Sequence, residues 1–106
     1  MNVVTEAVKA VGETLPLVIN FSDALQAGET ITGVGTTVTV FSGTDSSPAS
    51  LLSGAATYDA YGNVTQNVTA GVVGVIYNVA ITVTASGSHN YVKLARLAVI
   101  SNDASY

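Results

Sequence analysis

The chain has 106 residues, enough for one hydrophobic core and too few for two ordinary domains, so we expect a single domain over residues 1–106. Apolar residues make up 48% of it and charged residues only 9%, which excludes the low-hydrophobicity, high-charge composition of disordered chains. Seven acidic residues against three basic ones give a formal net charge of -4, which argues against a nucleic-acid partner.

The sequence contains no cysteine and no recognisable targeting segment. Disulfides, thiolate zinc sites and cysteine nucleophiles are therefore excluded, and stability must come from packing. The richest apolar run, residues 72–81, is interrupted by Tyr77 and Asn78 and falls short of the roughly 18 to 20 residues that a membrane-spanning helix needs. The first six residues lack the features of a secretory signal. We therefore expect a soluble protein made inside the cell, without a membrane partner.

The N-terminal element, residues 3–11, allows two interpretations. Val4, Ala7, Val8 and Val11 keep helical spacing. Valine favours extended backbone, however, and two isolated helical turns are marginal in water. We expect an extended first strand or arm.

Alternation of apolar and polar residues predicts five further strands. It is clearest over residues 75–84, where one face carries Val75, Tyr77, Val79, Ile81 and Val83. Similar patterns predict strands over residues 15–21, 36–41, 64–69 and 91–100. One apolar face and one wetter face are typical of antiparallel sheets.

The last of these strands, residues 91–100, changes phase along its length. Keeping both Lys93 and Arg96 in solvent then requires a β-bulge near Ala95, which we predict. A short helix, with the leucines of this segment on one stripe, is the alternative.

Turn signals separate the predicted strands. Residues 86–90 form a hairpin loop, because Gly87 and Asn90 tolerate a positive φ. Residues 22–28 are typical of one helical turn, and residues 42–53 form a long polar connection. About seven short strands separated by such turns predict an all-β fold, an immunoglobulin-like antiparallel β-sandwich.

The sequence offers no recognisable catalytic or metal-binding pattern. The single histidine, His89, is interpreted as a solvated loop residue, because no cysteine, second histidine or adjacent acid accompanies it. No serine lies in a Gly-x-Ser-x-Gly motif, and the acids lack the spacing of a calcium loop. We therefore expect no enzyme, with no catalytic residue, cofactor or metal.

The tyrosines carry two different expectations. Tyr77 lies on the inward phase of its strand, where its hydroxyl can reach a neighbouring backbone group as in a tyrosine corner. Tyr58, Tyr61, Tyr91 and Tyr106 offer a platform for stacking sugars, although cross-strand packing is the commoner role of tyrosines in sheets. A carbohydrate-binding surface module therefore stays among the alternative functions.

Two segments carry more specific motifs. Residues 13–25 contain an extended strand and the Phe-Ser-Asp turn at its end, and Gly-Glu-Thr-Ile follows at residues 28–31. Residues 64–65 and 69–79 give a strand, a turn punctuated by glycines, and a Tyr-x-Val strand. In this order the motifs resemble the small immunoglobulin-like virion proteins of tailed bacteriophages known as fibre-tail adaptors. The resemblance covers roughly residues 9 to 100.

This resemblance implies a structural protein of the virion, made in the cytoplasm of a bacterial host. It implies an adaptor at the neck or tail that links the connector or tail to fibres. The implied partners are other phage structural proteins of the tail, connector or fibre, with the capsid as a further option, and copies of the same chain related by virion symmetry. A capsid decoration or cement protein is the alternative function, and it differs in copy number.

Contacts with partners are expected at a free sheet edge, which can add a strand from another protein, and at the two ends of the chain. The candidate contact residues are Val3, Val4, Val8 and Val11 in the first element and Tyr106 in the C-terminal tail, residues 101–106. These ends are apolar or flexible enough to become ordered on binding.

Overall fold

Two β-sheets pack face to face in the computed structural model, which describes residues 3–101, with side chains from residue 6 onward. The strands are β1 (Val3–Ala10), β2 (Leu15–Asn20), β3 (Ile31–Ser42), β4 (Leu52–Tyr58), β5 (Asn63–Val68), β6 (Ile76–Ala85) and β7 (Asn90–Ile100). The larger sheet has the order β1-β7-β6-β3 and the smaller one the order β2-β5-β4. This arrangement confirms the predicted all-β, immunoglobulin-like sandwich of about seven strands.

The core lies between the sheets and follows the predicted alternation. On β6, the side chains of Tyr77, Val79, Ile81 and Val83 are all completely buried. The facing sheet contributes Leu17, Ile19, Val64 and Val68 to the same cluster. Burying an aliphatic side chain of this size stabilises the fold by about 1.5 to 3 kcal/mol, so these strands hold the two layers together.

The first element is a strand of the larger sheet. β1 runs parallel to β7, with a register from Val3↔Leu94 to Ala10↔Ile100, which adds one parallel pair to a sandwich predicted as antiparallel. The side chain of Lys9 is fully buried, and its Nζ donates to the carbonyls of Ala10 (3.0 Å) and Ala70 (2.6 Å). Burial lowers the pKa of the Lys9 ammonium. Lys9 therefore fastens β1 to the loop before β6.

The register between β1 and β7 does shift next to Ala95, but the extra residue lies on β1, between Val3 and Thr5, so the predicted bulge in β7 and the alternative helix are both wrong. The pairing of β7 with β6 runs without a shift in register. Lys93 and Arg96 consequently lie on opposite faces, and Lys93 follows the inward phase. Its ammonium leaves the core at the rim and donates to the Asn20 carbonyl (2.8 Å) and the Asp23 carboxylate. The prediction overlooked that a lysine stem can line apolar surface while its charged head reaches water.

The connection predicted over residues 42–53 contains a 3₁₀ turn, Pro48–Leu51, and leads into the strand β4, which the sequence pattern did not show. Leu51 is completely buried. β4 carries a bulge, because it advances from residue 53 to residue 57 while β5 moves only from residue 67 to residue 65. The buried Gln66 fills this irregularity: its Nε2 donates to the Gly54 carbonyl at 3.0 Å.

Candidate docking face of the four-stranded sheet

The outer face of the four-stranded sheet carries many apolar side chains. The members that alternate outward with core residues are Val8 on β1, Val92, Leu94, Ala98 and Ile100 on β7, Ile76 and Ala80 on β6, and Phe41 near the end of β3. Val8, Phe41 and Val92 are 61%, 52% and 42% exposed. The same face also carries polar side chains, among them Thr37, Thr39, Asn78, Thr82 and Thr84. Its apolar members therefore form a patch within the face, and such a patch is typical of a protein-binding surface. We call this sheet face the docking face.

A shallow groove crosses the docking face at Ala98. The register places Val8, Ala98 and Ile76 in one row across β1, β7 and β6. Because the small Ala98 lies between two larger side chains, the row has a recess at its centre. The groove has a volume of about 180 Å³, and Glu6, Ala7 and Arg96 complete its lining.

Arg96 occupies the next row of the docking face, beside the groove. Its guanidinium carbon lies 3.7 Å from the centre of the Phe41 ring, a distance that gives a favourable cation–π contact. Its Nε donates to the Asn78 side-chain oxygen at 3.2 Å. These contacts hold the guanidinium toward β3. Arginine and aromatic side chains are enriched at the energetic centres of protein interfaces, so this pair marks the docking face as a candidate site.

Glu6 is the register partner of Arg96 on β1, and its side chain is exposed. The ion pairs within residues 3–101 are Lys93 with Asp23 and His89 with Glu29, so neither Glu6 nor Arg96 forms one there. The Glu6 carboxylate and the Arg96 guanidinium are therefore available to form ion pairs with a partner.

The predicted contact residues lie in different surroundings. Val8 is on the docking face, whereas Val11 is half-buried and packs against the core. Val3 and Val4 belong to β1, but their side chains lie outside the described part of the structure, as does all of Tyr106. Their contact with a partner stays a prediction.

Sequence reasoning missed Phe41 and Arg96 as candidate contact residues. The signal for Phe41 was its position next to Thr37 and Thr39 on the outward phase of β3, where an aromatic ring is out of place. Arg96 gave no such signal, because its contact with Phe41 joins strands that are far apart in the sequence.

Tyr77 connects two loops at one end of the sandwich. Its hydroxyl accepts a hydrogen bond from the Val72 N–H (2.9 Å) and donates to the Asp45 carboxylate (2.7 Å). The predicted contact between this hydroxyl and a nearby backbone group is confirmed. The hydrogen bond from Tyr77 holds the pKa of Asp45 below its usual value, and burial raises the pKa of Tyr77. The residue therefore ties the connection between β3 and β4 to the loop before β6.

His89 lies in the hairpin loop and is exposed, as predicted, but the prediction that it has no adjacent acid is wrong. Its Nδ1 lies 2.8 Å from one carboxylate oxygen of Glu29, and the Tyr91 hydroxyl donates to the other at 2.8 Å. The N–H of Gln26 also donates to Glu29, and these hydrogen bonds lower the pKa of Glu29 to about 2. Both oxygens of this carboxylate are engaged, so the cluster fastens the loop before β3 to the β6–β7 hairpin.

The hairpin itself forms as predicted but with a different residue in the left-handed conformation. The N–H of Ser88 donates to the Ala85 carbonyl at 2.9 Å, which closes the turn. Ser88 has a φ of 65°, whereas the prediction assigned a positive φ to Gly87 and Asn90.

Two further structural observations bear on function. No group of three or more histidine, cysteine, aspartate or glutamate residues within the described chain is arranged to hold a metal ion. Between residues 3 and 101 there is also no helix with the length and apolar character needed to cross a bilayer.

A sandwich with an apolar sheet face is typical of structural proteins that act through their surfaces. A comparison with known families identifies which family of structural proteins this chain belongs to. Residues 9–96 match the model of a family described as podophage GP4 fiber-tail adaptor protein gp77. The match covers most of the chain, so the chain belongs to this family, which confirms the resemblance seen in the sequence. No curated protein matches it. The chain is a structural adaptor of a tailed phage and binds other phage structural proteins.

Proposed function

We propose that this adaptor joins the phage tail to its fibres through the docking face, without catalytic activity. Family membership supports the adaptor role over capsid decoration and over carbohydrate binding. We choose this surface because the Arg96–Phe41 pair lies beside the apolar groove. Residues 1–106 act as one domain that is made in the host cytoplasm and becomes part of the virion at the neck or tail.

The docking face suits a mechanical link because its side chains stand on a hydrogen-bonded ladder. β7 and β6 pair without a register shift beneath the groove, so Ala98, Ile76 and Arg96 are held in place before binding. Little conformational entropy is then lost when a partner docks.

Two of the four edge strands, β3 and β2, are less suitable for docking than this face. β3 forms one edge of the larger sheet, and its pairing with β6 is irregular near both ends, between residues 31 and 33 and between residues 40 and 42. Such irregularities are a common device against addition of another strand. β2 forms an edge of the smaller sheet and contains Pro16, which lacks an N–H.

Among the predicted contact residues, Val8 has the most structural support because it lines the groove. We propose Val3, Val4, Val11 and Tyr106 as additional contacts. Deleting the first element is a poor test of these contacts, since the deletion removes a paired strand as well as any contact. Point substitutions separate the two effects.

A substitution in the groove tests the proposed surface. Val8→Asp, introduced in the phage, should reduce the number of fibres per particle at least ~10-fold, because a carboxylate in an apolar contact remains desolvated and unpaired. Val18→Asp is the matched control, since Val18 is an outward valine on the edge strand of the other sheet and is 53% exposed against 61% for Val8. Electron microscopy of purified particles measures the number of fibres.

The control variant should keep the wild-type number of fibres. Particles assembled without this protein give the baseline. If Val8→Asp particles carry wild-type fibres, the docking face is the wrong surface. If particles without the protein also carry fibres, the adaptor role itself is wrong.

A further inference from the structure

We propose that the occupant of the docking face is a second copy of this chain, bound face to face about a two-fold axis. In this pair, Glu6 of each copy bonds Arg96 of the other, and Val8 of each copy lies over Ala98 of the other. The proposal rests on the proposed function only in using the same face. It makes the working unit of the adaptor a symmetric dimer, in which the contact between the two docking faces is the link, with the tail bound to one copy and the fibre to the other through their remaining surfaces.

The chemistry of the face is complementary to itself. β1 offers a carboxylate at residue 6 and a projecting apolar side chain at residue 8. β7 offers a cation at Arg96 and a recess at Ala98, flanked by Val8 and Ile76. A partner that fits the groove therefore needs an apolar side chain for the recess at Ala98 and an acid for Arg96. In a second copy, Val8 and Glu6 on β1 supply both.

The strand register allows both contacts to form at once. Glu6 pairs with Arg96 and Val8 pairs with Ala98, in two rows that cross β1 and β7. The two-fold axis of this dimer lies parallel to β1 and β7 and midway between them, in the plane where the four-stranded sheets of the two copies meet. This axis keeps each row at the same height and places β1 of one copy over β7 of the other. Each contact then occurs twice, as in any isologous interface.

The charge distribution of the chain favours this face over other surfaces for self-association. A net charge of -4 makes two copies repel each other over most of their surface. Lys9 is buried and Lys93 is paired with Asp23, so Arg96 is the cation that the described chain offers to a carboxylate from outside. The contacts with Phe41 and Asn78 draw Arg96 away from Glu6 of its own copy and leave both charges for the partner.

Charge reversal in solution tests the dimer. Sedimentation of the wild-type protein at about 100 µM should give twice the 10.7 kDa mass of one chain. Arg96→Glu places four acids in the two charge pairs, and Glu6→Arg places four cations there. Each variant alone should raise the dimer dissociation constant at least about 100-fold and sediment as a monomer.

Mixing the two variants distinguishes a contact between copies from an effect within one copy. An equimolar mixture of Arg96→Glu and Glu6→Arg restores an acid opposite a base in both pairs, so it should form a 1:1 dimer although neither variant dimerises alone. The doubly reversed variant, Glu6→Arg with Arg96→Glu, should dimerise like the wild type. Val18→Asp should also remain dimeric.

Several outcomes would overturn the dimer. These are a monomeric wild-type protein at this concentration, dimeric single variants, or a mixture that stays monomeric while circular dichroism shows both variants folded. If a charge-reversed variant is unfolded, the neutral substitution at the same position, Arg96→Gln or Glu6→Gln, replaces it, and a wild-type dissociation constant for the folded neutral variant would overturn the dimer. A monomeric wild type that still supports fibre attachment refutes the dimer alone and leaves the adaptor function intact.

Discussion

The outer faces of the two sheets differ in chemistry although they cover the same core. The three-stranded sheet presents Pro16, Val18 and Asn20 from β2, and Asn63, Thr65 and Asn67 from β5. The four-stranded sheet presents the groove at Ala98 and the Arg96–Phe41 pair. Both sheets contribute side chains to the same core, so the core alone does not account for this difference. The docking contact that we propose accounts for it.

The exposure of a single apolar residue is a weak signal of a protein-binding surface. Val8 and Val18 are both outward valines on edge strands and have similar exposure. Val18 has the polar neighbours Asn20 and Thr65, whereas Val8 adjoins Ala98 and Ile76. The neighbours across the strands, rather than the exposed residue itself, define the docking face.

The largest expected effect comes from Lys9, which holds the β1 part of the docking face in place. Lys9→Ala leaves a cavity and removes the donor from the Ala10 and Ala70 carbonyls, so the free energy of unfolding should fall by about 3 kcal/mol. Lys9→Met keeps the volume and should recover part of this loss. Chemical denaturation measures both variants.

Hydrogen exchange measures which strands lose stability in the Lys9→Ala variant. In Lys9→Ala, amides of β1 and β7 should exchange faster while those of β2 and β5 change little, because β1 belongs to the larger sheet alone. Equal acceleration in both sheets would contradict a role of Lys9 that is confined to the docking side.

A smaller effect is expected from the ring that supports Arg96. Phe41→Ala should weaken self-association about 10-fold, or roughly 1.4 kcal/mol, because the guanidinium loses its aromatic support and is free to turn toward Glu6 of its own copy. Thr65→Ala on the opposite sheet is the control and should change nothing. Sedimentation equilibrium measures both, and an unchanged dissociation constant for Phe41→Ala would remove this ring from the interface.

Tyr77 should affect both sheets together, since it lies in the shared core. Tyr77→Phe removes the hydrogen bond to Asp45 and the acceptor of the Val72 N–H, which should cost about 1 kcal/mol of the free energy of unfolding. The dimer dissociation constant should stay at the wild-type value. A change in association without a change in stability would mean that the Asp45 loop contributes to the docking face.

The smallest effect concerns Glu29, at the end of the sandwich away from the groove. Its folded-state pKa of about 2 lies below the usual 4.5, so its hydrogen bonds stabilise the fold above pH 4.5, and this contribution disappears as the pH falls toward 2. Glu29→Gln should flatten this part of the dependence of Tm on pH. Asp23, Asp45 and Asp59, whose pKa values are also lowered, contribute to the slope that remains. Parallel profiles for the variant and the wild type would contradict this assignment.

The sequence was informative where a segment alternates strictly. The inward positions of β6 and the contact of the Tyr77 hydroxyl followed from the period-two pattern, because one buried face fixes the register of a strand. β4 escaped the same reasoning. Its residues Ser-Gly-Ala-Ala-Thr show no alternation, and its bulge shifts the phase halfway along the strand.

Contacts between distant parts of the chain could not be predicted from local patterns. Glu29 meets His89 across 60 positions of sequence. The stacking of Arg96 on Phe41 likewise depends on two strands that are neighbours of β6 on opposite sides. Lys93 was misplaced for another reason, since the pattern gives the position of a Cα atom but not the path of a long side chain.

The parallel pairing of β1 with β7 has a consequence for the order of events during synthesis. The groove is built from residues 6–8 and 96–98, which are almost a full chain length apart. A nascent polypeptide on the ribosome therefore has no groove until its last strand has emerged and added β1 to the sheet. Unfinished chains cannot associate through this surface, so the docking contact that we propose is open only to folded copies.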